Sequence, residues 1–498
     1  MGMLHGPVLA RARWVVGHRD GAHELLEDGE VVWERDRILF VGHDYQGEVA
    51  HRLDFGEGLI GPGFIDLDAL ADLDTAILAF DNQPAWQKGR VWPRFYVERG
   101  PREMYTPAEL VFQKRFAFAN LIHNGITTAL PIASLFYREW GETVAEFEAA
   151  ASIAAELGLR VYLGPAYRSG HPVVEDDGTI TLHFDEDRAR AGLAAAIAFC
   201  RANEGAAGGL VRTMLAPDRV ETCTEDLLRH SAQAARELGV PIRLHCCQSD
   251  FEVATMRARF GMTAPRWLAA LDVLSERTLL PHGTHVAAGD LAILRDAGAA
   301  LVHCPLVMAR HGAALRSFSR LRADGHRIGM GTDTWPPDMI LNMQVGMMLN
   351  RVVEGDADCV RARDYYDAAT LGGADALGRA DLGRLAPGAK ADLIVASLGG
   401  SRIGVAIDPI QALMFAGSGR DISTVVIDGR VVMADGVIPG FDAEAGQRAA
   451  RQQFDRLVAC YPERAWRHPP VEEIFPPSYR LRRRPPTEAG TASSASGV

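Results

Sequence analysis

Side chains that can bind a metal or transfer a proton stand directly after several apolar, strand-like segments of this sequence. They end the segments IRLHC, LLPHGTH, LVHC and IGMGTD, and they are His245, His282, His285, His303 and Asp333. In a parallel α/β barrel the carboxyl ends of the strands form one rim, from which catalytic groups project. A single histidine there is usually structural. Several histidines together with an aspartate instead predict a catalytic or metal-binding site at the rim.

The segments that would position these side chains repeat along residues 61–380. Helical segments, such as VAEFEAAASIAAELG ending at Gly158 and EDLLRHSAQAARELG ending at Gly239, are each followed by an apolar strand segment. Strands that alternate with helices over about 300 residues predict a parallel α/β architecture. The alternation fits a closed barrel or an open doubly wound sheet. No GxGxxG motif follows a strand, which argues against a dinucleotide-binding sheet.

Two β-rich segments flank this central region. The later one, STVVIDGRVVMADG, carries Asp-Gly turns at Asp428 and Asp435 between apolar runs, which is a specific hairpin signal. Two such segments of matching character predict one small β-domain that is interrupted by the central region. The predicted units are the first half of this β-domain (1–60), the barrel (61–380), the second half of the β-domain (381–440), and a helical extension with a disordered tail (441–498).

The composition excludes several classes of protein. A formal net charge of −12 over 498 residues argues against a nucleic-acid binder, which needs a basic face. No apolar run reaches the roughly 18–20 residues of a membrane span, and no signal-peptide pattern is visible, so no membrane partner is expected. The seven cysteines are scattered and include no CxxC pair. They indicate neither a structural zinc site nor a disulfide framework, so a cytoplasmic location is expected.

Five motifs follow one another in a recognisable order: GPGFID at 61–66, NGITTAL at 124–130, PHGTHV at 281–286, HCP at 303–305 and GMGTDT at 329–334. In order and spacing they resemble the first, second, sixth, seventh and eighth strands of the amidohydrolase superfamily, in its cytosine deaminase, guanine deaminase and triazine hydrolase branch. The resemblance implies a (β/α)₈ TIM-type barrel with a small composite β-sandwich domain. It also implies a homo-oligomeric hydrolase that cleaves a non-peptide carbon–nitrogen bond of a small heterocyclic metabolite, by deamination or by amide or ring hydrolysis.

The resemblance further implies roles for single residues. In the family, a His-x-His pair after the first strand, a fifth-strand histidine and an eighth-strand aspartate hold one divalent metal, and a sixth-strand histidine assists catalysis. His245, His282 and Asp333 match the last three positions, whereas Asp68 and Leu70 stand where the pair is expected. The predicted metal ligands are therefore Asp68, His245 and Asp333. The predicted catalytic residues include His282 and Asp333.

Gln248 is a further departure from the family pattern. Relatives carry a proton-shuttling glutamate at this place, three residues after the fifth-strand histidine, and a glutamine cannot exchange protons near neutral pH. We place Gln248 with the catalytic residues as a group that orients the substrate by hydrogen bonding. Val307 and Met308 follow the HCP motif where relatives carry a polar pair, which indicates a less polar pocket.

The altered ligand pair leaves the cofactor open. A carboxylate in place of histidine makes the set harder and more anionic, which favours Mn, Fe or Mg somewhat over Zn. A divalent ion, Zn, Fe or Mn, is one expectation. Leu70 cannot coordinate, however, so a metal-free enzyme of lyase or isomerase type, with His282 and Asp333 as acid–base partners, is an alternative. A non-catalytic relative of the family is another.

An aromatic and basic segment, residues 85–105, follows the first strand, where loops line the pocket of a barrel. Trp86, Trp92 and Arg94 are predicted to clamp a flat, polar or anionic ring, and His303 is predicted to contact the substrate. The alternative is that the aromatic residues pack the segment onto the barrel. The neighbouring acids Asp72 and Asp74 are expected in a solvated loop.

Overall fold

Eight short parallel strands form the centre of the molecule in the computed structural model, which describes residues 5–73, 91–316, 318–401 and 403–482. They form two four-stranded sheets, which meet at the Leu215–Ile242 bridge on one side. On the other side the Asp333 N–H donates to the Asp68 carbonyl at 2.8 Å, which closes the barrel. The predicted barrel is confirmed, and the open sheet is wrong. The eight barrel strands are Phe64–Leu70, Ile126–Ile132, Arg160–Leu163, Val211–Thr213, Ile242–Arg243, Thr278–Pro281, Ala300–His303 and Arg327–Met330.

Helices surround the barrel, and local sequence sets where they begin and end. Thr106 and Glu109 form a reciprocal capping box at the start of one helix. Gly158 and Gly239 end two others in the left-handed conformation, with φ of 82° and 71°. The α-helices of the described residues are Arg94–Arg99, Pro107–His123, Val144–Leu157, Glu186–Asn203, Glu225–Leu238, Asp250–Phe260, Ala264–Ala270, Leu291–Asp296, Pro305–Arg310, Phe318–Ala323, Met339–Glu354, Ala362–Asp367, Gly373–Ala376, Pro409–Ala416, Ala443–Cys460 and Val471–Ile474.

The two flanking β segments meet in one eight-stranded sheet. Leu393–Ala396 pairs antiparallel with Leu59–Pro62 and so joins the two halves of the chain. The last two strands form a hairpin through Asp428 and Gly429, whose φ angles of 52° and 76° suit a type I′ turn. The strands of this sheet are Val8–Arg19, Ala22–Glu34, Arg37–Gly42, His51–Asp54, Leu59–Pro62, Leu393–Ala396, Ile422–Ile427 and Arg430–Met433. The remaining short strands are Trp92–Pro93, Ala166–Tyr167, Gly170–Val174, Ile180–Phe184 and Ala216–Pro217.

The C-terminal extension contributes the helix Ala443–Cys460, which packs against the helix Pro107–His123. Most of the tail predicted to be disordered falls at 483–498, outside the described residues. Within the part of the chain that is described, none of the helices has both the length and the apolar character that crossing a membrane requires.

Arg160 joins the barrel to the small β-domain. It begins the third barrel strand, its side chain is 1% exposed, and it contacts Asp392 at 3.1 Å and Asp428 at 2.9 Å. Replacing one partner of a buried ion pair leaves the opposite charge buried without compensation. We therefore expect Arg160→Gln to lower the free energy of unfolding by about 3–5 kcal/mol, measured by urea denaturation.

Arg190 provides the control for this prediction, since it pairs with Asp187 on an exposed helix surface. Exposed ion pairs contribute about 0–1 kcal/mol, so Arg190→Gln is expected to change the urea midpoint little. Equal urea midpoints for Arg160→Gln and the wild type would show that Arg160 does not stabilise the fold.

Candidate functional site

A cavity of about 570 Å³ lies at the carboxyl ends of the barrel strands. His245, Gln248 and Asp333 line it, so three of the residues chosen from the sequence face one space. Val307 and Met308 form part of its apolar wall. This is the rim where a barrel presents groups from several strands to one ligand, and the cavity is within the size range of small-molecule sites.

Two histidines and two aspartates converge at the base of this cavity. Asp68 Oδ2 lies 3.7 Å from His245 Nε2, and His282 Nε2 lies 3.5 Å from Asp333 Oδ2. The rings of His245 and His282 stack with their centroids 5.4 Å apart. The structure therefore brings together all four of the residues that were predicted to hold a metal or to transfer protons.

The backbone determines how these side chains are aimed. The Nδ1–H of His245 donates to the Asp218 carbonyl at 2.7 Å. This hydrogen bond fixes the ring so that Nε2 faces the other histidine and the two aspartates. His282 and Asp333 have φ angles of 76° and 46°. A left-handed conformation costs a non-glycine residue about 1–3 kcal/mol, and such strain is concentrated at functional sites.

Both imidazoles are neutral near pH 7. Burial, followed by the positive charge of Arg219, lowers the pKa of His245 and of His282 well below the usual range. Among the described residues, Nε2 of His245 and both ring nitrogens of His282 have no hydrogen-bond partner. Buried polar atoms without partners are uncommon in folded proteins, so these nitrogens are suited to an external ligand or an ion.

Asp68, His245 and His282 fit a divalent metal. One ligand atom from each lies within 4.8 Å of the other two. Four ligands about 2.1 Å from a tetrahedral ion stand about 3.4 Å from one another. The separation of 3.7 Å between Asp68 Oδ2 and His245 Nε2 is close to that value. His282 stands in this group where the sequence analysis placed Asp333, and Asp333 Oδ2 lies 3.5 Å from His282 Nε2, so the ligand set stays a prediction.

Arg243 contacts this group of histidines and aspartates, although the sequence motifs did not predict it as a site residue. Its Nη1 donates to Asp68 Oδ1 at 2.6 Å, and the two side chains are 2% and 0% exposed. Burial raises the pKa of Asp68, and the charge of Arg243 opposes that shift. Arg243 stands two residues before His245, and side chains at i and i+2 of a strand share a face. That spacing could have identified it.

Gln248 is held by a second arginine. Its Oε1 accepts a hydrogen bond from Arg219, which also lines the cavity. A guanidinium has only donors, so the amide oxygen must face it, and the amide nitrogen is the atom left to donate to a ligand. This arrangement agrees with an orienting role for Gln248.

Trp92 and Arg94, the described members of the predicted clamp, are not among the described residues that line the cavity. Trp86 lies outside the described residues. Trp92 is buried behind the cavity wall, where its Nε1 donates to the Phe136 carbonyl and its ring lies 3.9 Å from that of His171. Arg94 is bonded to Glu175 at 2.8 Å and is not among the described residues that line the cavity. A carboxylate of the chain itself occupies this guanidinium, which corrects the assignment of Arg94 to the substrate.

Two further expectations are corrected. His303 packs against Phe318 and Tyr365, with ring centroids 5.6 and 6.0 Å away, and burial lowers its pKa to about 3. It is therefore a core residue between the barrel and its helices, not a substrate contact. Asp72 is buried and accepts from the Ser134 N–H at 2.6 Å, so it does not belong to a solvated loop. Asp74 lies outside the described residues.

Two proteins of similar sequence are both named as deaminases. A 5-methylthioadenosine/S-adenosylhomocysteine deaminase of Natronomonas pharaonis is 28% identical over 442 residues, which cover 88% of this chain and 94% of the relative. An 8-oxoguanine deaminase of Pseudomonas aeruginosa is 28% identical over 446 residues, which cover 87% and 94%.

Solved structures share the fold. An adenosine deaminase from Xanthomonas campestris with bound zinc has a TM-score of 0.73 at 20% identity, over 90% of this chain and 98% of that one. An atrazine chlorohydrolase from Arthrobacter aurescens complexed with zinc has a TM-score of 0.74 at 22% identity, over 90% and 100%. The sequence model of the amidohydrolase family matches residues 81–432. With that match over more than half of its length, this chain belongs to the amidohydrolase family.

Proposed function

We propose that this protein is a hydrolytic deaminase, in which water replaces an amino substituent on a ring carbon of a small nitrogen heterocycle. Its family and its deaminase relatives make it a hydrolase of carbon–nitrogen bonds outside peptides. The observation that carries the finer proposal is the pairing of a neutral His282 with Asp333, 3.5 Å apart, beside Asp68 and His245. This arrangement places a carboxylate base directly next to a candidate cation site.

A divalent ion is the proposed cofactor, with Asp68, His245 and His282 as its ligands and Asp333 beside them. When bound, such an ion supplies an activated water at neutral pH and withdraws charge from the ring. Zinc in the neighbouring structures supports a divalent ion. The two carboxylates at this centre favour manganese or iron alongside zinc, because harder ions prefer oxygen ligands.

The chain's own residues would move the protons. Asp333 is the proposed base, which takes a proton from the attacking water and passes it to the leaving nitrogen, so that the amino group departs as ammonia. His282, as a proposed ligand, would hold the ion beside this base, since its Nε2 lies 3.5 Å from Asp333 Oδ2. Gln248 would donate to a ring atom and hold the substrate in position.

The lining of the cavity supports a flat ring as substrate. Leu70, Val307 and Met308 provide apolar surface, while Gln248 and Asp333 provide polar groups on the same lining. Small-molecule pockets combine such apolar surface with a few polar groups that fix the orientation of the ligand. The named substrates of the deaminase relatives are purine compounds, which supports a bicyclic ring of purine size.

Ammonia release tests the proposed function. Purified protein is offered aminopurines, aminopurine nucleosides, aminopyrimidines and amino-triazines, and ammonia is measured with a coupled dehydrogenase. We expect release from at least one bicyclic substrate, with an oxygen in place of the amino group in the mass of the product. A substrate converted without release of ammonia, or no conversion in any class, would contradict deamination.

Two other expectations stay predictions. A homo-oligomer follows from the family resemblance alone, and sedimentation equilibrium decides it. The cytoplasmic location also stays a prediction, which fractionation of the native host would check.

A further inference from the structure

The buried ion pair between Arg243 and Asp68 needs an explanation beyond stability. Within the described ranges, Asp68 is the carboxylate that lies within ion-pair distance of Arg243, at 2.6 Å. Removing two charges from water costs about as much as their attraction returns, so a buried pair is often no more stable than apolar residues of similar volume. A pair kept at the base of a cavity is therefore better explained by what it does to a ligand there.

The surroundings of Asp68 hold its carboxylate in one orientation. Oδ1 is bonded to Arg243, while Oδ2 lies 3.7 Å from His245 Nε2 and 3.8 Å from Cys304 Sγ. A Cβ on Gly331 would lie 2.8 Å from the Cβ of Asp68, so only glycine leaves room for this approach. The carboxylate is thus enclosed, with a single oxygen toward the two histidines.

We propose that Arg243 is a positioning residue that sets how Asp68 binds a cation. Arg243 donates a hydrogen bond to Asp68 Oδ1 and balances the negative charge of that carboxylate. Only Oδ2 of Asp68 then remains to bind the ion. Asp68 and Arg243 together are then neutral, so the pair adds no net negative charge to attract the ion. The inference rests on the proposed function in taking Asp68 as a ligand of the divalent ion, and it adds that Arg243 limits how tightly that ion is held.

Removal of the positive charge is therefore expected to strengthen cation binding. The amide in Arg243→Gln can still donate to Asp68, but it no longer repels a divalent ion a few ångströms away. At an effective protein dielectric of about 20, one charge at that distance changes affinity by well over tenfold. We expect Arg243→Gln to bind zinc at least about tenfold more tightly than the wild type. Arg243→Lys keeps the charge and should remain within about threefold.

Arg160→Gln is the matched control. Arg160 is also a buried barrel arginine paired with carboxylates, but it lies at the amino end of its strand, with partners in the small β-domain. Its replacement should lower stability and leave the zinc affinity unchanged. A purely structural role for Arg243 predicts the same behaviour at both positions, so the comparison separates positioning from packing.

The experiment measures zinc dissociation constants of the full-length, metal-stripped proteins by competition with a chromophoric chelator, without substrate. The result is therefore independent of whether the protein proves to be a deaminase. Equal zinc affinities of the wild type and Arg243→Gln, or no zinc binding by either, would overturn the proposal.

A second comparison applies if Arg243→Gln does not fold. The double variant Asp68→Asn with Arg243→Gln replaces the ion pair by two amides that can hydrogen-bond, and so leaves no lone buried charge. Both variants should bind zinc more weakly than the wild type, because an amide oxygen is a weaker ligand than a carboxylate. The double variant should still bind it at least about tenfold more tightly than Asp68→Asn alone, in which Arg243 is uncompensated. Equal affinities of these two variants would also overturn the proposal.

Discussion

Replacement of Asp333 by asparagine is expected to lower kcat at least about a thousandfold and to leave the fold intact. Asparagine has the same shape but cannot accept a proton, so the proposed base is removed and His282 loses its carboxylate partner. The Asp333 backbone N–H that closes the barrel onto Asp68 is retained in the variant. The measurements are the rate of ammonia release and the thermal unfolding temperature.

Asp187→Asn provides the control, since its side chain is 93% exposed on a helix away from the cavity. Its kcat should match that of the wild type. A kcat for Asp333→Asn within tenfold of the wild type would assign the proton transfer to another group. A large fall in unfolding temperature would instead make Asp333 a structural residue.

Exhaustive chelation is expected to reduce kcat/KM at least about a hundredfold, since a bound divalent ion makes water a nucleophile at neutral pH. Activity should return with zinc, manganese or ferrous ion, and elemental analysis should find about one ion per chain. Asp68→Ala should lose the ion and the activity together, because it removes one of the three ligands.

The opposite result would point to a different chemistry. Full activity after chelation, with much less than one ion per chain, would leave His282 and Asp333 as a metal-free acid–base pair. A neutral His282 and Asp333, 3.5 Å apart, would then transfer protons without an ion. A lyase or isomerase reaction would become the account to test.

The architecture and the position of the site at the barrel rim could both be predicted from the amino-acid sequence. The alternation of strands and helices and the order of five motifs predicted the barrel. Gly158 and Gly239 end helices and Asp428–Gly429 forms a hairpin turn, as the local sequence predicted. His245, His282 and Asp333 could be chosen because each stands just beyond the carboxyl end of a strand, and all strands of a parallel barrel end on one rim.

The pairing of charged groups could not be predicted from the sequence, because it depends on the folded chain. Arg243 and Asp68 are 175 residues apart, and Arg94 and Glu175 are 81 residues apart. Strand periodicity tells which face a side chain is on, but the partner on that face depends on how neighbouring strands and loops are placed in the closed barrel. A guanidinium forms equally good ion pairs with any carboxylate in reach, so the sequence cannot choose between a substrate and Glu175 for Arg94. Arg94 pairs with Glu175 because the folded chain brings the two side chains to within 2.8 Å of each other.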